Sequence, residues 1–247
     1  MERDAEAPVA TFFTAERLAS GETTTLGESA AHHARVKRLD AGDPVRLTDG
    51  AGHVARGTIG ELRRGALDVS VTRVDEVERP SPIHLRVPVG DRDRMLWLAE
   101  KVTELGVASW QAVHFRRSSS VSPRGEGPTF AEKVRARMAS ALEQSGGAWL
   151  PAILPDVRLA ELSTSARELR IVLDAGGASL PEILRLDGTA EPVILFGPEG
   201  GIEPDEMKVL ESNGWRRSRL AATTLRFETA GIAAVAVCRA METATGD

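Results

Sequence analysis

Apolar strands and amphipathic helices alternate along the chain from Ile83 onward, and this alternation limits the fold more than any other feature. Leu85–Val89 predicts a buried strand, and Asp91–Leu105 predicts a helix because its apolar residues recur at helical spacing. The pattern continues with strands and helices predicted at Trp110–Phe115, Phe130–Gln144, Ile171–Leu173 and Pro192–Phe196. Such alternation predicts an α/β fold with a mostly parallel sheet flanked by helices.

Short β segments and turn formers fill the chain before Glu78. Strands are predicted at Val45–Thr48, Val54–Ile59 and Leu67–Val74. Asp49-Gly50 and Arg64-Gly65 separate them, as in hairpins. His32–Leu39 predicts a short helix. This part of the chain is therefore expected to form a compact barrel of hairpins.

The run Arg79-Pro80-Ser81-Pro82 interrupts regular structure and predicts a linker. A chain of 247 residues with 42% hydrophobic content can bury one large core or two modest ones. We therefore expect two domains, residues 1–78 and residues 79–247.

A glycine-rich loop, Gly197–Gly201, lies between the apolar run Pro192–Phe196 and a predicted helix. Pro204 suits the first helical turn, and the acids at 205 and 206 favour the helix dipole. Glycine lets a ligand approach the backbone closely. Neither the Gly-Lys-Ser/Thr ending nor the Gly-x-Gly-x-x-Gly spacing of phosphate-binding loops is present. Taken alone, an ordinary turn of an α/β fold is the alternative.

A second segment, Leu220–Ala230, places Arg226 directly before a predicted helix. The helix opens near Glu228 and continues through Cys238, with small apolar residues on nearly every side, so it is expected to be buried. An unpaired arginine beside a buried helix would be costly. Arg226 therefore has a functional role, reaches solvent, or pairs with Glu228.

Together the two segments resemble the glycine loop and the Leu-Arg-x-Glu-Thr-Ala segment of SPOUT methyltransferases. More narrowly, they resemble the bacterial 16S ribosomal RNA (uracil-N3) methyltransferase family. Further segments resemble that family in the same order along the chain: His32–Leu39, Lys101–Val107, His114–Ser118 and Glu143–Gly146. The resemblance covers nearly the whole chain. It implies a C-terminal SPOUT trefoil-knot domain, preceded by a small PUA-like β-barrel that binds RNA.

The resemblance also implies S-adenosylmethionine as the cofactor, held where three strand-end loops converge. The residues expected to hold it are Leu173, Asp174, Ala175, Phe196, Gly197, Pro198, Gly200, Gly201, Leu220, Ala221 and Leu225. Gly200 is expected to leave space for the ligand, because a side chain there would occupy the pocket. The five histidines show no metal-ligand spacing, so no metal is expected.

The implied reaction methylates N3 of a uridine in 16S ribosomal RNA. That nitrogen carries a proton, so the site needs a base or donors that stabilise the imide anion. Arg226 is the candidate anion stabiliser, since its fixed charge and planar donors suit a carbonyl oxygen that gains charge. Glu199 is the candidate base, unless its carboxylate accepts backbone N–H bonds in its own loop. Which group takes the proton stays open.

The overall charge argues against non-specific RNA binding, because 31 basic and 36 acidic residues give a net charge of −5. Local groups of basic residues can still contact phosphate, although such groups are often only solvated faces. The residues expected to bind the substrate are Arg35, Lys37, Arg38, Arg116, Arg117, Gln144 and Ser145. We expect the assembled small ribosomal subunit to supply much of the recognition.

Three positions depart from the family where contacts to RNA or cofactor are expected. Thr11, Gly147 and Thr223 stand where the family usually has arginine. Two alternatives therefore stay open: a related SPOUT RNA methyltransferase with another target, such as a ribose 2′-O or another base, and a non-catalytic RNA-binding protein. The intact glycine loop and Leu-Arg-x-Glu-Thr-Ala segment favour an enzyme.

The remaining expectations concern location and assembly. No apolar stretch approaches the ~18 residues that span a membrane. The acidic start lacks the features of a signal peptide, so a cytoplasmic location is expected. Cys238 is expected to be a small buried hydrophobe. The small-residue helix from Ala230 to Ala240 suits close approach to a second copy, and the resemblance implies the same homodimer.

Overall fold

The computed structural model describes residues 8–120, 123–163, 165, 167–186 and 190–243. The chain forms two compact units. The first takes the chain up to Arg79 together with Ala139–Leu150, and the second takes Pro80–Met138 and the chain from Pro151 onward. This division differs from the expected ranges chiefly because residues 139–150 belong to the first unit.

A five-stranded sheet and one helix build the first unit. Its elements are β1 (Thr11–Phe13), β2 (Thr23–Leu26), α1 (Glu28–Val36), β3 (Pro44–Thr48), β4 (His53–Leu62) and β5 (Leu67–Glu76). The strand order is β1-β3-β4-β5-β2, in which β1 and β3 are parallel and the other neighbours are antiparallel. Buried and exposed residues alternate along β2, and Phe12, Leu47 and Leu67 lie in the core. Register shifts in β4 add the bends that curve such a sheet.

The segment Ala139–Leu150 is held in the first unit by hydrogen bonds to the sheet. The Phe13 backbone N–H donates to Glu143 Oε1 at 2.9 Å, and the Leu150 N–H donates to the Gly50 carbonyl at 2.8 Å. These partners are far apart in sequence, so a local pattern of linker residues could not reveal them.

Six strands and their connecting helices build the second unit. They are β6 (His84–Pro88), α2 (Arg92–Glu104), β7 (Ser109–His114), α3 (Pro128–Ser145, whose last turns lie in the first unit), β8 (Ala152–Arg158), β9 (Glu168–Ser179), α4 (Leu180–Leu186), β10 (Glu191–Phe196), α5 (Pro204–Ser212), β11 (Arg216–Arg219) and α6 (Phe227–Thr243). Short 3-10 helices occupy Arg116–Ser120 and Leu159–Glu161. The strand order is β11-β9-β10-β6-β7-β8, and every neighbouring pair is parallel.

The central strands are buried on both faces, which explains their continuous apolar sequences. Val193–Phe196 of β10 is fully buried between β9 and β6. Phe196, the last residue of β10, pairs with Leu173 in the middle of β9, so the carboxyl edge of β10 lies beside the middle of β9. Ligands of open parallel sheets bind at this edge.

Four elements, β1, β2, β8 and α4, were not predicted. β8 contains Pro155, has no buried residue and lies at the edge of its sheet, where proline is tolerated. Its sequence therefore lacks the apolar run that identified β7 and β10. The first helix begins at Glu28 and ends at Val36, whereas His32–Leu39 was predicted.

Helix α6 is not buried all round, contrary to the expectation from its sequence. Ala234, Val235 and Cys238 are buried, whereas Ile232 and Val237 are half-buried. Burial raises the pKa of the Cys238 thiol to about 12, as suits a structural cysteine. In the part of the chain that the structure describes, no helix is both long and apolar enough to cross a membrane.

Candidate functional site

A cavity of about 270 Å³ opens at the carboxyl ends of β10 and β11, beside the middle of β9. Its walls are a bulge of β9, the glycine loop after β10, the loop between β11 and α6, and the first turn of α6. It brings together every residue predicted to hold the cofactor except Gly200. The volume is close to the lower limit of about 300 Å³ for small-molecule sites.

The first wall comes from an irregularity inside β9 rather than from a loop at its end. The register against β11 shifts between Arg217 and Ser218, so residues 173–177 bulge from the sheet. Arg217 Nε donates to Asp174 Oδ1 at 2.9 Å and fixes the bulge. Leu173–Ala175 thereby line the cavity. The prediction of a strand that ends at Leu173 was wrong, because the bulge is set by pairing with a distant strand.

The glycine loop is a tight turn that leaves its backbone next to the cavity. Gly201 has φ +77°, and its N–H donates to the Pro198 carbonyl at 2.8 Å. A Cβ on Gly197 would lie 2.7 Å from Ile202 Cγ1, so no larger residue fits there. Helix α5 then begins at Pro204, the first-turn proline that the sequence indicated.

A side chain at Gly200 would point toward Arg117, whereas the sequence predicted that it would point into the cavity. A Cβ on Gly200 would lie 3.0 Å from Arg117 Cβ and 3.2 Å from Arg117 Cδ. Arg117 Nη1 also donates to the Gly200 carbonyl at 2.6 Å. The missing side chain therefore lets the loop pack on Arg117, and the expected role of Gly200 in leaving space for a ligand is not what this geometry provides.

Arg116 and Arg117, expected to bind substrate, contact acids at the start of α5. Arg116 pairs with Asp205, and hydrogen bonding to this carboxylate raises the pKa of Arg116. Arg117 Nε donates to Glu203 Oε1 at 3.0 Å. The backbone N–H of Arg116 donates to buried Glu206 Oε1 at 2.9 Å. These contacts hold the helix that follows the glycine loop.

Arg226 lies in sequence between two residues that line the cavity, and its own side chain is exposed. Its neighbours Leu225 and Phe227 line the cavity. Its guanidinium makes no hydrogen bond or ion pair with any residue that the structure describes. The alternative of a pair with Glu228 is not found, because Glu228 faces Arg94 instead.

Glu199 and Glu228 both contact Arg94, a residue that the sequence analysis missed. Arg94 Nη1 donates to Glu199 Oε1, and Arg94 Nε lies 3.9 Å from Glu228 Oε1. The carboxylate of Glu199 thus binds this arginine, and no described backbone N–H of its own loop donates to it. We call Arg94, Glu199 and Glu228 the Arg94 cluster. Its members are distant in sequence, so no local signal could have identified it.

The other predicted substrate residues, Arg35, Lys37, Arg38, Gln144 and Ser145, belong to the first unit. Arg35 Nη2 donates to the Arg63 carbonyl at 2.8 Å and to the Arg64 carbonyl, so it supports a β-hairpin. Arg38 is exposed, has φ +58°, and is the only described residue other than glycine with a positive φ. Within the described ranges, the side chains of Lys37 and Arg38 make no hydrogen bond or ion pair.

Family models match both parts of the chain. A model of an RNA methyltransferase domain matches residues 77–239, and a model of an RNA methyltransferase PUA domain matches residues 26–72. A protein of Mycobacterium bovis named Ribosomal RNA small subunit methyltransferase E is 31% identical over 226 residues, which cover 85% of this chain and 82% of the relative.

Solved structures share the fold. A Ribosomal RNA small subunit methyltransferase E from Neisseria gonorrhoeae, bound to S-adenosyl methionine, has a TM-score of 0.83 and 24% identity, and the match covers 94% of this chain and 97% of that one. A predicted RNA methyltransferase from Thermotoga maritima has a TM-score of 0.72 and 26% identity, with 95% and 99% coverage. The predicted fold class, an α/β SPOUT domain after a PUA-like barrel, is confirmed. The chain therefore belongs to the RNA methyltransferase family that includes the proteins named Ribosomal RNA small subunit methyltransferase E.

Proposed function

We propose that this protein transfers a methyl group from S-adenosylmethionine to N3 of a uridine in the 16S ribosomal RNA of the small ribosomal subunit. The cavity at the carboxyl ends of β10 and β11 carries this proposal, together with Arg226, whose guanidinium has no ion-pair partner among the described residues. The 31% identical relative named for the small ribosomal subunit supports the choice of RNA.

The chemistry of the cavity walls fits S-adenosylmethionine. Leu173, Phe196, Leu220 and Leu225 supply apolar surface for the faces of an adenine ring. The bulge and the glycine loop supply backbone groups for its edges. Asp174 Oδ1 is engaged by Arg217, whereas Asp174 Oδ2 makes no hydrogen bond with the described residues and is available to a ribose hydroxyl. The structural relative from Neisseria gonorrhoeae binds the same molecule.

The protein's contribution to the reaction is to bind uracil, orient it and stabilise charge. The bound cofactor supplies an electrophilic methyl group on a sulfonium. Arg226 would donate to a uracil carbonyl oxygen next to N3 and stabilise the anion that forms as the N3 proton leaves. Glu199 is the candidate acceptor of that proton, and it would have to exchange its contact with Arg94 for one with the base.

RNA recognition is assigned to cations in both units. In the first unit, Lys37 and Arg38 have exposed side chains without ion-pair partners among the described residues, and they are suited to phosphate. In the second unit, Arg116 and Arg117, beside the first turn of α5, are the residues proposed to contact the RNA. With a net charge of −5, the protein is expected to need the assembled subunit for tight binding in the cytoplasm.

A homodimer forms part of this proposal. Helix α6 presents half-buried Ile232, Ala233, Ala236 and Val237, and exposed Trp97 lies on α2, which packs against α6. Small side chains allow close approach of a second helix. A second copy would cover this apolar surface.

Methylation in vitro tests the proposal. Purified protein is incubated with S-adenosylmethionine and small subunits from a strain without the enzyme, and the RNA is digested for nucleoside mass spectrometry. We expect N3-methyluridine, with more product on subunits than on naked 16S RNA. A ribose-methylated or other base-methylated product would assign a different target. No product, despite a thermal shift with S-adenosylmethionine, would exclude the proposed activity on these subunits.

A further inference from the structure

We infer that Arg94 is a positioning residue that holds two walls of the cavity together by binding one carboxylate from each. The inference rests on the proposed function, because it concerns the affinity of the cavity for S-adenosylmethionine. Arg94 itself does not line the cavity. Its effect on the cofactor would therefore pass through Glu199 and Glu228.

The two carboxylates flank residues that line the cavity. Glu199 follows Pro198 in the glycine loop, and Glu228 follows Phe227 in the first turn of α6. Arg94 contacts both, with Nη1 on Glu199 Oε1 and Nε 3.9 Å from Glu228 Oε1. One guanidinium thus connects two chain segments that a ligand in the cavity would have to touch together.

The backbone of Arg94 is itself held in place by the N-terminal cap of α2. Asp91 caps α2, and its Oδ1 accepts from the backbone N–H of Arg94 at 3.0 Å. The first turn of α2 is therefore rigid where Arg94 leaves it. A planar guanidinium suits two carboxylates at once, which a point charge does less well.

Burial makes the contact with Glu228 more consequential than a surface ion pair. The Glu228 side chain is 8% exposed, and its Oε2 atom has no hydrogen-bond partner in the described part of the chain. A buried carboxylate needs a nearby cation, and among the described residues Arg94 is the cation that lies beside it. Removing Arg94 would leave this charge unbalanced and would free the α6 end of the loop. By contrast, Glu199 is 39% exposed and can be altered without such a cost.

The test compares Glu199→Gln, Arg94→Lys and their double variant with wild type by titration calorimetry with S-adenosylmethionine. Each single variant should bind about tenfold more weakly, and the double variant should lose little more, because both changes remove one coupled contact. Thermal unfolding of Glu199→Gln should stay near that of wild type. Glu100→Gln is the matched control: Glu100 pairs with Arg137 in the same unit and does not line the cavity, so affinity should not change.

The outcomes separate this inference from the proposed function. Wild-type affinity in both Glu199→Gln and Arg94→Lys, or losses that simply add in the double variant, would overturn the role of Arg94. Failure of the wild-type protein to bind S-adenosylmethionine would overturn the cofactor assignment itself. If Glu199 acted only as the proton acceptor, Glu199→Gln would lower kcat and leave the cofactor Kd unchanged, which would also exclude the positioning role.

Discussion

At the scale of single residues, the structure excludes one of the three roles considered for Arg226. The sequence left three readings: function, solvent exposure, or a pair with Glu228. Because Glu228 lies beside Arg94, the pair with Glu228 is excluded, and the side chain of Arg226, between the cavity-lining Leu225 and Phe227, is exposed. The spacing of Leu-Arg-x-Glu-Thr-Ala identified both charged residues but could not show which cation pairs with the acid.

The variant Arg226→Ala is expected to lose at least ~100-fold in methyl transfer, comparable to the loss of one oxyanion donor. Cofactor affinity should change little, because this interaction forms mainly in the transition state. Arg226→Lys should recover little activity. Single-turnover assays on small subunits would measure the effect, and Arg216→Ala on β11, also exposed, serves as the control. Near-normal turnover of Arg226→Ala would remove this residue from the mechanism.

Arg38 retains an unfavourable backbone conformation that glycine would relieve. At φ +58° a side chain costs roughly 1–2 kcal/mol, so Arg38→Gly should raise the free energy of unfolding by up to about 1 kcal/mol after the added chain entropy. The same variant should bind small subunits more weakly. Denaturant titration and subunit binding measure the two effects, with Lys37→Gly, where φ is −79°, as the control that gains no stability. Full subunit binding by Arg38→Gly would argue against an RNA contact.

At the scale of elements, strands buried on both faces were predictable and elements defined by their partners were not. The apolar runs of β6, β7 and β10 indicated strands because a parallel sheet buries such runs. The family resemblance, rather than these runs, implied most of the residues that line the cavity, which belong to the glycine loop and to the segment before α6. The bulge of β9 depends on its register with β11. The contact that a side chain at Gly200 would make depends on the position of Arg117. Neither relation has a local sequence signal.

The first turn of α6 offers a direct test of the cavity. Ala230 lines it, so Ala230→Leu would place three more carbons where the ligand is expected, and the steric cost of about 1–3 kcal/mol should weaken S-adenosylmethionine binding by about tenfold or more. Gly200→Val should have a smaller effect, because its side chain meets Arg117 rather than the cavity. Calorimetry on the two folded variants would decide. A greater loss for Gly200→Val would restore the original expectation for that glycine.

At the scale of the whole molecule, the order of the two parts was predictable, but the residues that belong to each part were not. The Pro-rich run near Arg79 marks an edge of the first unit. The return of Ala139–Leu150 to that unit depends on hydrogen bonds such as Phe13 N–H to Glu143, between distant parts of the chain. The predicted 79–247 range therefore differs from the compact second unit.

The half-buried apolar face of α6 predicts self-association. Sedimentation equilibrium at micromolar concentration should give a dimer of the 26.5 kDa chain. An aspartate at Ala236 or Val237 should shift the protein toward monomer, because a charge at the centre of an apolar interface is costly to bury. The matched change Val209→Asp on α5, where Val209 is 41% exposed, should leave the dimer intact. A wild-type monomer throughout the range would exclude the dimer.

Mass spectrometry of 16S ribosomal RNA from a deletion strain would show whether this protein forms N3-methyluridine in the cell. RNA is compared before and after complementation with the wild-type gene and with the Arg226→Ala variant. One N3-methyluridine should disappear on deletion, return with the wild-type protein and not return with the variant. Unchanged N3-methyluridine in the deletion strain, or loss of a different modified nucleotide, would contradict it.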